Sequence, residues 1–526
     1  MKLLLIRQES SLYKYSNTSY GLGLIGTIAS QVSDVKIIDN NSLYKIYSEK
    51  EFISEIERYK PDVIGFNVHA FNILATRNLV SFIKKHFPKI CLIAGGLHTF
   101  SQPEEVLDVG VHVVVKGEAD CVIKPLLLIL EEAVQDRVGE DFGISADLGR
   151  KLYEIPGLLF YSEGCSGVND SGESVLLENL DILPFVNYDL FNLDDFLKGP
   201  DDDHYVTNVL ITQRGCPFPC PFCRINGATS MAKVRENSTE YKMAYVQYIY
   251  QKYHPKHLVF YDNNFTLNRQ SAISFCHKFI ENGFNKLMSF SCQTNVVLKL
   301  DDFLLSAMKE ASCTEVGLGI ERLSKKSLEL INKNKDYESI IHNVDMINKY
   351  NIDIMANCLV GFPFDTKDTI EEEGRLFEEL KYKIKIFSIN NLLPPPGTEI
   401  YLNTKYKKWY LDNKMMRWKQ SFYHMVYNFS NNSLEINFFD LDNETIRAIR
   451  LMKEHYYSVT IKNLGSRLVD FLHFFEKILA KVSFCVYQVS PTIEGVIFYL
   501  PKKIRNYFHG YFLSNYYVDR SSCSND

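Results

Sequence analysis

Short apolar runs alternate with amphipathic stretches over residues 1–145 of the chain. Five of the runs have the length of buried strands and are bounded by Gly, Asp or Pro: KLLLIR, VKIID, DVIGFNV, KICLIAGG and VHVVVKGE. The stretches between them, such as SEKEFISEIERYK, carry apolar residues at helical spacing. Near-continuous apolar strands must be covered on both faces, so this alternation predicts a doubly wound parallel sheet. A ligand of such a sheet binds beyond the carboxyl ends of its strands.

A second alternation follows a connecting region. Residues 146–203 are rich in Gly, Ser, Asp and Pro and predict a linker with one β-hairpin around the turn SEGCSGVNDSGES. Over residues 204–401, six further apolar runs alternate with helical stretches: HYVTNVLITQRG, HLVFYDNN, LMSFSCQTN, EVGLGIE, IDIMANCLVGFP and IKIFSINNLLPPPGT. Six β/α units are three-quarters of an eight-unit TIM-type barrel. This part of the chain therefore predicts a partial (β/α)6 barrel with its functional loops at the carboxyl ends of the strands.

Residues 402–526 are aromatic and basic and predict a mainly helical C-terminal region. NETIRAIRLMKEHYYSV carries apolar residues at helical spacing, and Asn443 is its predicted N-cap because Asn favours that position. LVDFLHFFEKILAKVSFCVYQV is strongly apolar but is interrupted by Asp, Glu and Lys. Helices that cap the barrel mouth and shape a substrate pocket are the favoured interpretation. A helix that lies on a membrane surface is the alternative.

Composition places the chain among reduced, soluble and cytoplasmic proteins. Its 526 residues carry a net charge of −6, which gives no electrostatic reason to expect nucleic-acid binding. Its 12 cysteines are too few for a disulfide scaffold. No uninterrupted apolar run reaches the roughly 18 residues that a membrane-spanning helix needs. Most of the cysteines lie in apolar runs, where they are expected to act as small buried hydrophobic residues.

The stretch RGCPFPCPFC differs from the rest because it concentrates three cysteines, Cys216, Cys220 and Cys223, in one loop. A disulfide would leave one cysteine over, and structural zinc usually takes four ligands in two close pairs. A ferredoxin-like cluster needs a fourth cysteine in a compatible motif. The interpretation that fits is a [4Fe–4S] cluster held by three thiolates, with its fourth iron open to a ligand. The three prolines of the loop keep it out of a helix, so its sulfurs can converge.

The triplet C-x-x-x-C-x-x-C, with Phe222 before its last cysteine, resembles the signature of radical S-adenosylmethionine (SAM) enzymes. Four later segments resemble the same family in the same order. They are FYDNNFTLN, with Asn263 in place of a second acid; GLGIE; VGFPFDT, with Asp365 in place of Glu; and PPPGTEIY. Together, these segments favour a SAM-binding barrel over the purely structural role that each would have by itself.

Two segments of the first domain, YGLGLIGTIAS and GGLHTFSQPEEVLDVGVHVVVKGEAD, resemble the Rossmann-like cobalamin (vitamin B12)-binding domain of the class B radical SAM methyltransferases. This sequence differs from the family pattern in the residue that would coordinate the cobalt. The histidine-bearing form of this domain has an Asp-x-His-x-x-Gly loop whose imidazole coordinates the metal, whereas the loop QESSLYKYSNTSYG contains no histidine. Many members of the subclass lack it too. The resemblance therefore still implies cobalamin, but without an imidazole ligand from the protein.

The resemblance implies three cofactors, each with its own residues. The cluster would be ligated by Cys216, Cys220 and Cys223. The residues implied in SAM binding lie in the cysteine loop and at later strand ends: Phe222, Asp262, Asn263, Asn264, Glu321, Gly361 and Pro363. Among them, the Asp262–Asn264 segment would meet the methionine amino group, Glu321 the ribose or methionine polar groups, and Gly361 the adenine.

The residues implied for cobalamin lie at the carboxyl ends of the third, fourth and fifth predicted strands: Gly65, Asn67, Gly95, Gly96, His98, Gly117 and Glu118. The paired glycines would let a ligand approach the backbone, but a tight strand-to-helix turn requires glycine equally. His98 and His69 lie near the expected corrin site, and a structural or solvent-facing role is favoured over metal ligation for each.

The domain combination implies a methyltransferase that alkylates an unactivated carbon of a small-molecule or natural-product substrate. One alternative uses the 5′-deoxyadenosyl radical for cyclisation, rearrangement or oxidation without methyl transfer. Another is a non-catalytic cobalamin or iron–sulfur sensor. Methylthio transfer is disfavoured because the first domain offers only Cys91 and Cys121 for a second cluster. The partners implied are the small-molecule substrate and a reductant such as flavodoxin or ferredoxin.

Overall fold

The computed structural model describes residues 1–9, 17–42, 44–70, 72–135, 141–196, 209–227, 232–333, 336–392, 396–402 and 441–464. Contacts within the chain define two compact units. The N-terminal unit is formed mainly by Met1–Thr207, and the C-terminal unit mainly by residues 208–526.

The N-terminal unit is built on a seven-stranded sheet. Its strands are β1 (Lys2–Arg7), β2 (Asp34–Asp39), β3 (Val63–Asn67), β4 (Cys91–Gly95), β5 (Val113–Val115), β6 (Leu158–Phe160) and β7 (Asn169–Asp170). They lie in the order β2-β1-β3-β4-β5-β6-β7, and the first five pair in parallel. The order 2-1-3-4-5 places a topological switch point between β1 and β3, where doubly wound sheets bind their ligands. The predicted doubly wound sheet is confirmed.

The hairpin predicted in the connecting region is also present, and it extends this sheet. β6 pairs antiparallel with β5, and β7 pairs antiparallel with β6. The sheet therefore continues past residue 145 to Asp170, into the stretch that the sequence marks as a linker. The proposed domain boundaries at residues 145, 203 and 401 stay predictions.

Helices cover the sheet of the N-terminal unit: α1 (Tyr20–Ala29), α2 (Glu49–Tyr59), α3 (Ile73–His86), α4 (Pro103–Leu107), α5 (Ile123–Gln135) and α6 (Ala146–Tyr153). α2 begins with a capping box, in which Ser48 and Glu51 each accept a backbone N–H from the other. Ser19 and Ser145 cap α1 and α6 through their hydroxyl oxygens. The apolar strand residues that the sequence pattern predicts to be covered are buried, as in Leu4, Ile64 and Leu92.

The C-terminal unit is built on a second sheet. Its strands, with one short antiparallel pair beside them, are β8 (Val209–Leu210), β9 (Gln213–Arg214), β10 (Arg235–Glu236), β11 (His257–Phe260), β12 (Ser289–Asn295), β13 (Cys313–Glu321), β14 (Asp353–Val360) and β15 (Ile386–Asn391). Six of them form an all-parallel sheet in the order β15-β14-β13-β12-β11-β8. β9 leaves this sheet and pairs with β10. The predicted partial (β/α)6 barrel is confirmed.

The helices of the C-terminal unit are α7 (Arg224–Gly227), α8 (Thr239–Tyr253), α9 (Arg269–Glu281), α10 (Asp302–Glu310), α11 (Lys325–Leu330), α12 (Tyr337–Lys349), α13 (Lys367–Glu378), α14 (Glu399–Leu402) and α15 (Asn443–Leu464). Five phenylalanines pack α9 against β11 and β12 with ring centroids 5.0–6.0 Å apart: Phe260, Phe265, Phe275, Phe279 and Phe290. This cluster fixes the turn that leads from β11 into α9.

The C-terminal helix α15 packs against α13 and β15. Its Tyr456 hydroxyl donates to the Gly374 carbonyl (2.7 Å), and the Phe387 N–H on the edge strand donates to Thr460 Oγ1 (2.8 Å). The described part of the C-terminal region thus covers a sheet edge. The predicted N-cap is wrong by one residue, because the Asp442 carboxylate accepts the Thr445 N–H at 2.7 Å. Asp442 can accept this bond because it precedes the first helical residue.

The strongly apolar segment after residue 465, and with it the possible membrane-surface helix, lies outside the described residues. Among the residues that the structure does describe, no helix combines the length and the hydropathy needed to cross a membrane.

Candidate active site

The three cysteines lie in one loop that follows β9. Cys220 is buried, Cys216 and Cys223 are half-buried, and all three are free thiols. The loop begins at Gly215, whose φ of +89° and close approach to the Lys233 carbonyl leave no room for a side chain. The Cys223 N–H donates to the Cys220 carbonyl at 3.0 Å, so a tight turn joins these two residues. The loop is therefore shaped by its own backbone rather than by a disulfide.

The turn after β11 holds the base of this loop. The Asp262 carboxylate, on a residue that is 1% exposed, accepts the backbone N–H groups of Thr212 (2.5 Å) and Gln213 (2.8 Å) and the Thr212 hydroxyl (2.7 Å). Burial raises the pKa of Asp262 to about 6, while the bonds from Thr212 oppose that rise. Asp262 is thus a positioning residue for the cysteine loop. Its predicted contact with the methionine amino group stays a prediction.

The next two residues extend the same contact along the loop. Asn263 Nδ2 donates to the Gly215 carbonyl at 3.3 Å, and Asn264 Nδ2 donates to Cys216 Sγ at 3.2 Å. Within the described residues, the amide oxygens of both asparagines accept no hydrogen bond. They are the acceptors that this turn still offers to an ammonium group of a ligand.

The environment of Cys220 favours a thiol unless a cation is bound. Its pKa is raised to about 12, mainly by burial and to a smaller extent by the negative charges of Cys223, Glu321 and Cys216, while the charge of Lys333 opposes the rise. Over the described ranges, no three His, Cys, Asp or Glu side chains converge on the position of a single metal ion. In a cubane cluster each thiolate binds a different iron, so three sulfurs spread along one loop suit a cluster better than a lone ion.

Glu321 ends β13 in a left-handed conformation, with a φ of +62° that is uncommon for a residue other than glycine. Lys333 Nζ lies 3.7 Å from Glu321 Oε1 and also donates to the Gly319 carbonyl. Burial raises the pKa of Glu321, and the charge of Lys333 opposes that rise. The loop that follows β13 is fixed by the buried Glu373 carboxylate, which accepts the N–H groups of Leu323 (2.7 Å) and Ser324 (3.2 Å).

The turn after β14 is held by Asp365. Its Oδ2 accepts the N–H groups of Gly361 (2.7 Å) and Phe362 (2.9 Å) and pairs with Arg322 Nη2 (2.5 Å). Gly361 has a φ of +83°, and an added Cβ there would lie no closer than 4.0 Å to its nearest neighbour. The glycine therefore serves the conformation of the turn and leaves open space beside it. Pro363, in contrast, is exposed.

These strand ends meet the cysteine loop directly. The Phe222 ring packs edge-on against Phe362 with centroids 5.8 Å apart. Asn332 Nδ2 donates to the Pro219 carbonyl at 3.0 Å, and the Ile400 N–H donates to the Pro221 carbonyl at 3.2 Å. The cysteine loop, the Glu321 end and the Gly361 turn thus form one site. Arg322, Lys333 and Glu373 are the members that sequence reasoning missed, because their partners lie 43, 14 and 50 residues away.

In the N-terminal unit, polar side chains gather at the switch point between β1 and β3. Arg7 and Asp39, at the ends of β1 and β2, form a buried bidentate ion pair with both N···O distances at 2.6 Å. Asp39 also accepts the Ser19 N–H at 3.3 Å, at the start of α1. Asn67 ends β3, and its buried Oδ1 has no hydrogen-bond partner within the described part of the chain. This orphaned acceptor is the feature that best fits a bound ligand here.

The predicted cobalamin glycines differ in what surrounds them. A Cβ on Gly65 would meet Leu5 Cδ2 at 2.7 Å, and one on Gly96, whose φ is +110°, would meet the Val68 carbonyl at 2.7 Å. Gly117 lies against the Ser174 side chain. Packing or backbone conformation therefore already explains these three. Gly95 has its nearest neighbour at 3.8 Å, so it has room for a ligand. Their cofactor contacts stay predictions.

His98 and Glu118 complete the predicted set. His98 is 1% exposed in a short 3₁₀ turn (Leu97–Phe100), and its Nε2 lies 3.5 Å from Glu105 Oε2. Glu118 is half-buried. His98 therefore does not face solvent. The cofactor contacts of His98 and Glu118 stay predictions.

Comparison with known proteins agrees with this geometry. Residues 13–126 match the family model described as the B12 binding domain, and residues 210–377 match that of the Radical SAM superfamily. The chain therefore contains a B12-binding domain followed by a radical SAM domain. The cofactor predictions of cobalamin, SAM and a [4Fe–4S] cluster are confirmed at the level of these two domains.

The individual proteins that match this chain do so at low sequence identity. A Pyrococcus horikoshii protein named as an uncharacterized methyltransferase is 26% identical over 76% of this chain and 82% of its own length. The anaerobic magnesium-protoporphyrin IX monomethyl ester cyclase of Rubrivivax gelatinosus is 22% identical over 66% of the chain and 59% of its own. The solved radical SAM methyltransferase TsrM from Kitasatospora setae, with cobalamin and a [4Fe–4S] cluster bound, superposes with a TM-score of 0.61 at 14% identity, over 78% of this chain and 75% of TsrM. At that identity the likeness to TsrM shows the fold alone.

Proposed function

We propose that this protein is a cobalamin-dependent radical SAM enzyme that methylates an unactivated carbon of a small-molecule or natural-product substrate. The observation that carries the proposal is the cysteine loop itself, which three later strand ends of a parallel barrel contact and hold. A B12-binding domain in the same chain, and a relative named as a methyltransferase over 76% of the chain, favour methyl transfer.

The residues at the site suit such cofactors. Cys216, Cys220 and Cys223 would ligate the cluster, and the free amide oxygens of Asn263 and Asn264 would accept the SAM ammonium group. When bound, the cluster, SAM and cobalamin together supply a substrate radical and the methyl group that joins it. The chain's own share is to hold the loop, to position SAM and to exclude water.

Glu321 and Gly361 would complete the SAM site. The Glu321 carboxylate, with Lys333 beside it, would accept hydrogen bonds from the ribose or the methionine group. The open space beside Gly361 would receive the adenine, with Phe222 and Phe362 as an apolar wall. In the N-terminal unit, Asn67 and Gly95 are the residues that we assign to cobalamin. The electron would come from a reductant such as flavodoxin or ferredoxin.

The test is a product analysis of the full-length protein after anaerobic reconstitution with iron, sulfide and hydroxocobalamin. SAM and dithionite are added with candidate substrates, and 5′-deoxyadenosine and methylated products are measured. The C216A/C220A/C223A variant is the control. Both products from the wild type and neither from the variant would support the proposal. No deoxyadenosine from a protein that carries its cluster would contradict it and favour the sensor.

A second candidate is radical cyclisation, rearrangement or oxidation without methyl transfer. The similarity to the anaerobic cyclase over 66% of the chain favours it. Deoxyadenosine formed with an altered substrate that has gained no methyl group would identify this chemistry. Use of SAM labelled with ¹³C in its methyl group separates the two candidates, because only a methyltransferase moves the label into the product.

A further inference from the structure

Asn264 is the one residue of the β11 turn whose side chain contacts a cysteine sulfur among those described. It is 2% exposed, and its Nδ2 lies 3.2 Å from Cys216 Sγ. The turn is rigid at this point because the Leu267 N–H donates to the Asn264 carbonyl at 3.0 Å and the Phe265 N–H donates to the Gln293 carbonyl at 2.8 Å. These bonds fix the backbone from which the Asn264 amide reaches the sulfur.

We infer that Asn264 raises the reduction potential of the cluster by donating its amide N–H to the Cys216 thiolate. The inference rests on the proposed cluster and adds a residue that controls its electron affinity. Reduction puts one more negative charge on the cluster and its sulfurs. A hydrogen-bond donor to a sulfur stabilises that charge more in the reduced state, so the reduced state gains more from the bond.

The reductant's task explains why such a bond matters. The cluster must accept one electron from a reductant such as flavodoxin or ferredoxin before SAM can be cleaved, and a higher potential makes that transfer easier. Asn264 occupies the unspecified position of the Asp-Asp-x-Phe-Thr segment that the sequence resembles. The resemblance implies for this residue only a place in the segment that would meet the methionine amino group, whereas the structure places its amide N–H on a ligand sulfur.

Two variants and a matched control separate this effect from a change in loop shape. N264L keeps the approximate size of the side chain and removes the donor. N264D keeps the shape but offers only acceptors and adds a negative charge. The control is N263L, which removes the adjacent amide; that amide holds the same loop through the Gly215 carbonyl at 3.3 Å and contacts no sulfur.

The measurement is a potentiometric titration of each reconstituted full-length protein without SAM, followed by electron paramagnetic resonance of the reduced cluster. At a fixed potential near the wild-type midpoint, we expect N264L to lower the ratio of reduced to oxidised cluster about tenfold, a shift of about 59 mV for one electron. N264D should lower the ratio further, and N263L should stay close to the wild type. If N264L fails to retain iron, N264D decides.

An unchanged midpoint in the Asn264 variants would overturn the inference, and so would an equal shift in N263L, which would trace the effect to loop geometry. Failure of the wild type to bind a cluster is a different result. It would remove the proposed function itself, so the two failures are distinguishable.

Discussion

Replacement of Asp262 tests whether the cysteine loop is held by hydrogen bonds from the neighbouring strand end. D262A removes the acceptor for the N–H groups of Thr212 and Gln213. These two residues are 0% and 2% exposed, so their N–H groups cannot donate to water instead. D262N is the matched variant, because its amide oxygen can still accept both N–H groups while its NH2 donates to the Thr212 hydroxyl. Neither variant carries the buried charge. Their difference therefore reports the loss of the hydrogen bonds at this position, of which the two from backbone N–H groups are expected to dominate.

A buried donor left without a partner costs about 1–3 kcal/mol, so D262A should unfold about 2–6 kcal/mol more easily than D262N. The assay is urea denaturation of the two variants side by side, with iron content measured after anaerobic reconstitution. We expect D262A to lose much of its iron and D262N to retain it. Equal stability of the two variants, or loss of iron from both, would refute the hydrogen-bond account.

Three further predictions concern the pKa of Asp262, the packing at Gly96 and the turn that Asp365 holds. Because burial raises the pKa of Asp262 to about 6, the folded protein binds this proton more tightly than the unfolded chain. The unfolding free energy of the wild type relative to D262N should therefore fall as the pH rises from about 4 to about 6 and level off above. A difference that grows with pH in urea titrations would contradict this. G96A should destabilise the N-terminal unit by about 1–3 kcal/mol in thermal unfolding, since its Cβ would meet the Val68 carbonyl at 2.7 Å. G95A is the control and should not destabilise it, because its Cβ would lie 3.8 Å from the nearest atom. Equal effects of the two substitutions would refute the packing argument. D365A should weaken SAM binding to the reconstituted protein about tenfold or more in equilibrium dialysis, because the N–H groups of Gly361 and Phe362 lose the one carboxylate oxygen that accepts both. D365E, which carries the acid of the resembled motif, should retain binding.

The strands were the most predictable part of the fold. KLLLIR, VKIID and EVGLGIE each read as apolar runs bounded by polar or turn residues, and the structure places β1, β2 and β13 on them within two residues. A continuous apolar run must be buried on both faces, whatever the rest of the chain does. That local requirement is why the pattern alone predicts a parallel sheet.

The first strand of the barrel is a place where the apolar pattern of the sequence predicts the wrong strand length. HYVTNVLITQRG predicts one long strand, yet β8 ends at Leu210 and β9 pairs with β10 instead of the main sheet. The reason is tertiary, because Asp262 takes the N–H groups of Thr212 and Gln213 that would otherwise continue the ladder. No pattern in the strand itself records that partner.

Within the site, residue types were easier to predict than residue roles. The cysteines and the strand-end acids stand out in the sequence, but the role of Asp262 in holding the loop depends on contacts across 50 residues. The family resemblance and their place at strand ends imply a ligand contact for Gly65 and Gly96, and the structure supplies packing reasons for both. Asp442 caps α15 because the helix begins at Asn443, one residue earlier than a cap at Asn443 would require.

The central claim is that Cys216, Cys220 and Cys223 hold a redox-active [4Fe–4S] cluster in a chain that also binds cobalamin. Iron, sulfide and corrin content of the anaerobically reconstituted wild type, measured beside the C216A/C220A/C223A variant, tests it most directly. The account predicts about four irons and one corrin per wild-type chain, and corrin without iron in the variant. Equal iron in the two proteins, or a wild type that binds no corrin, would contradict it.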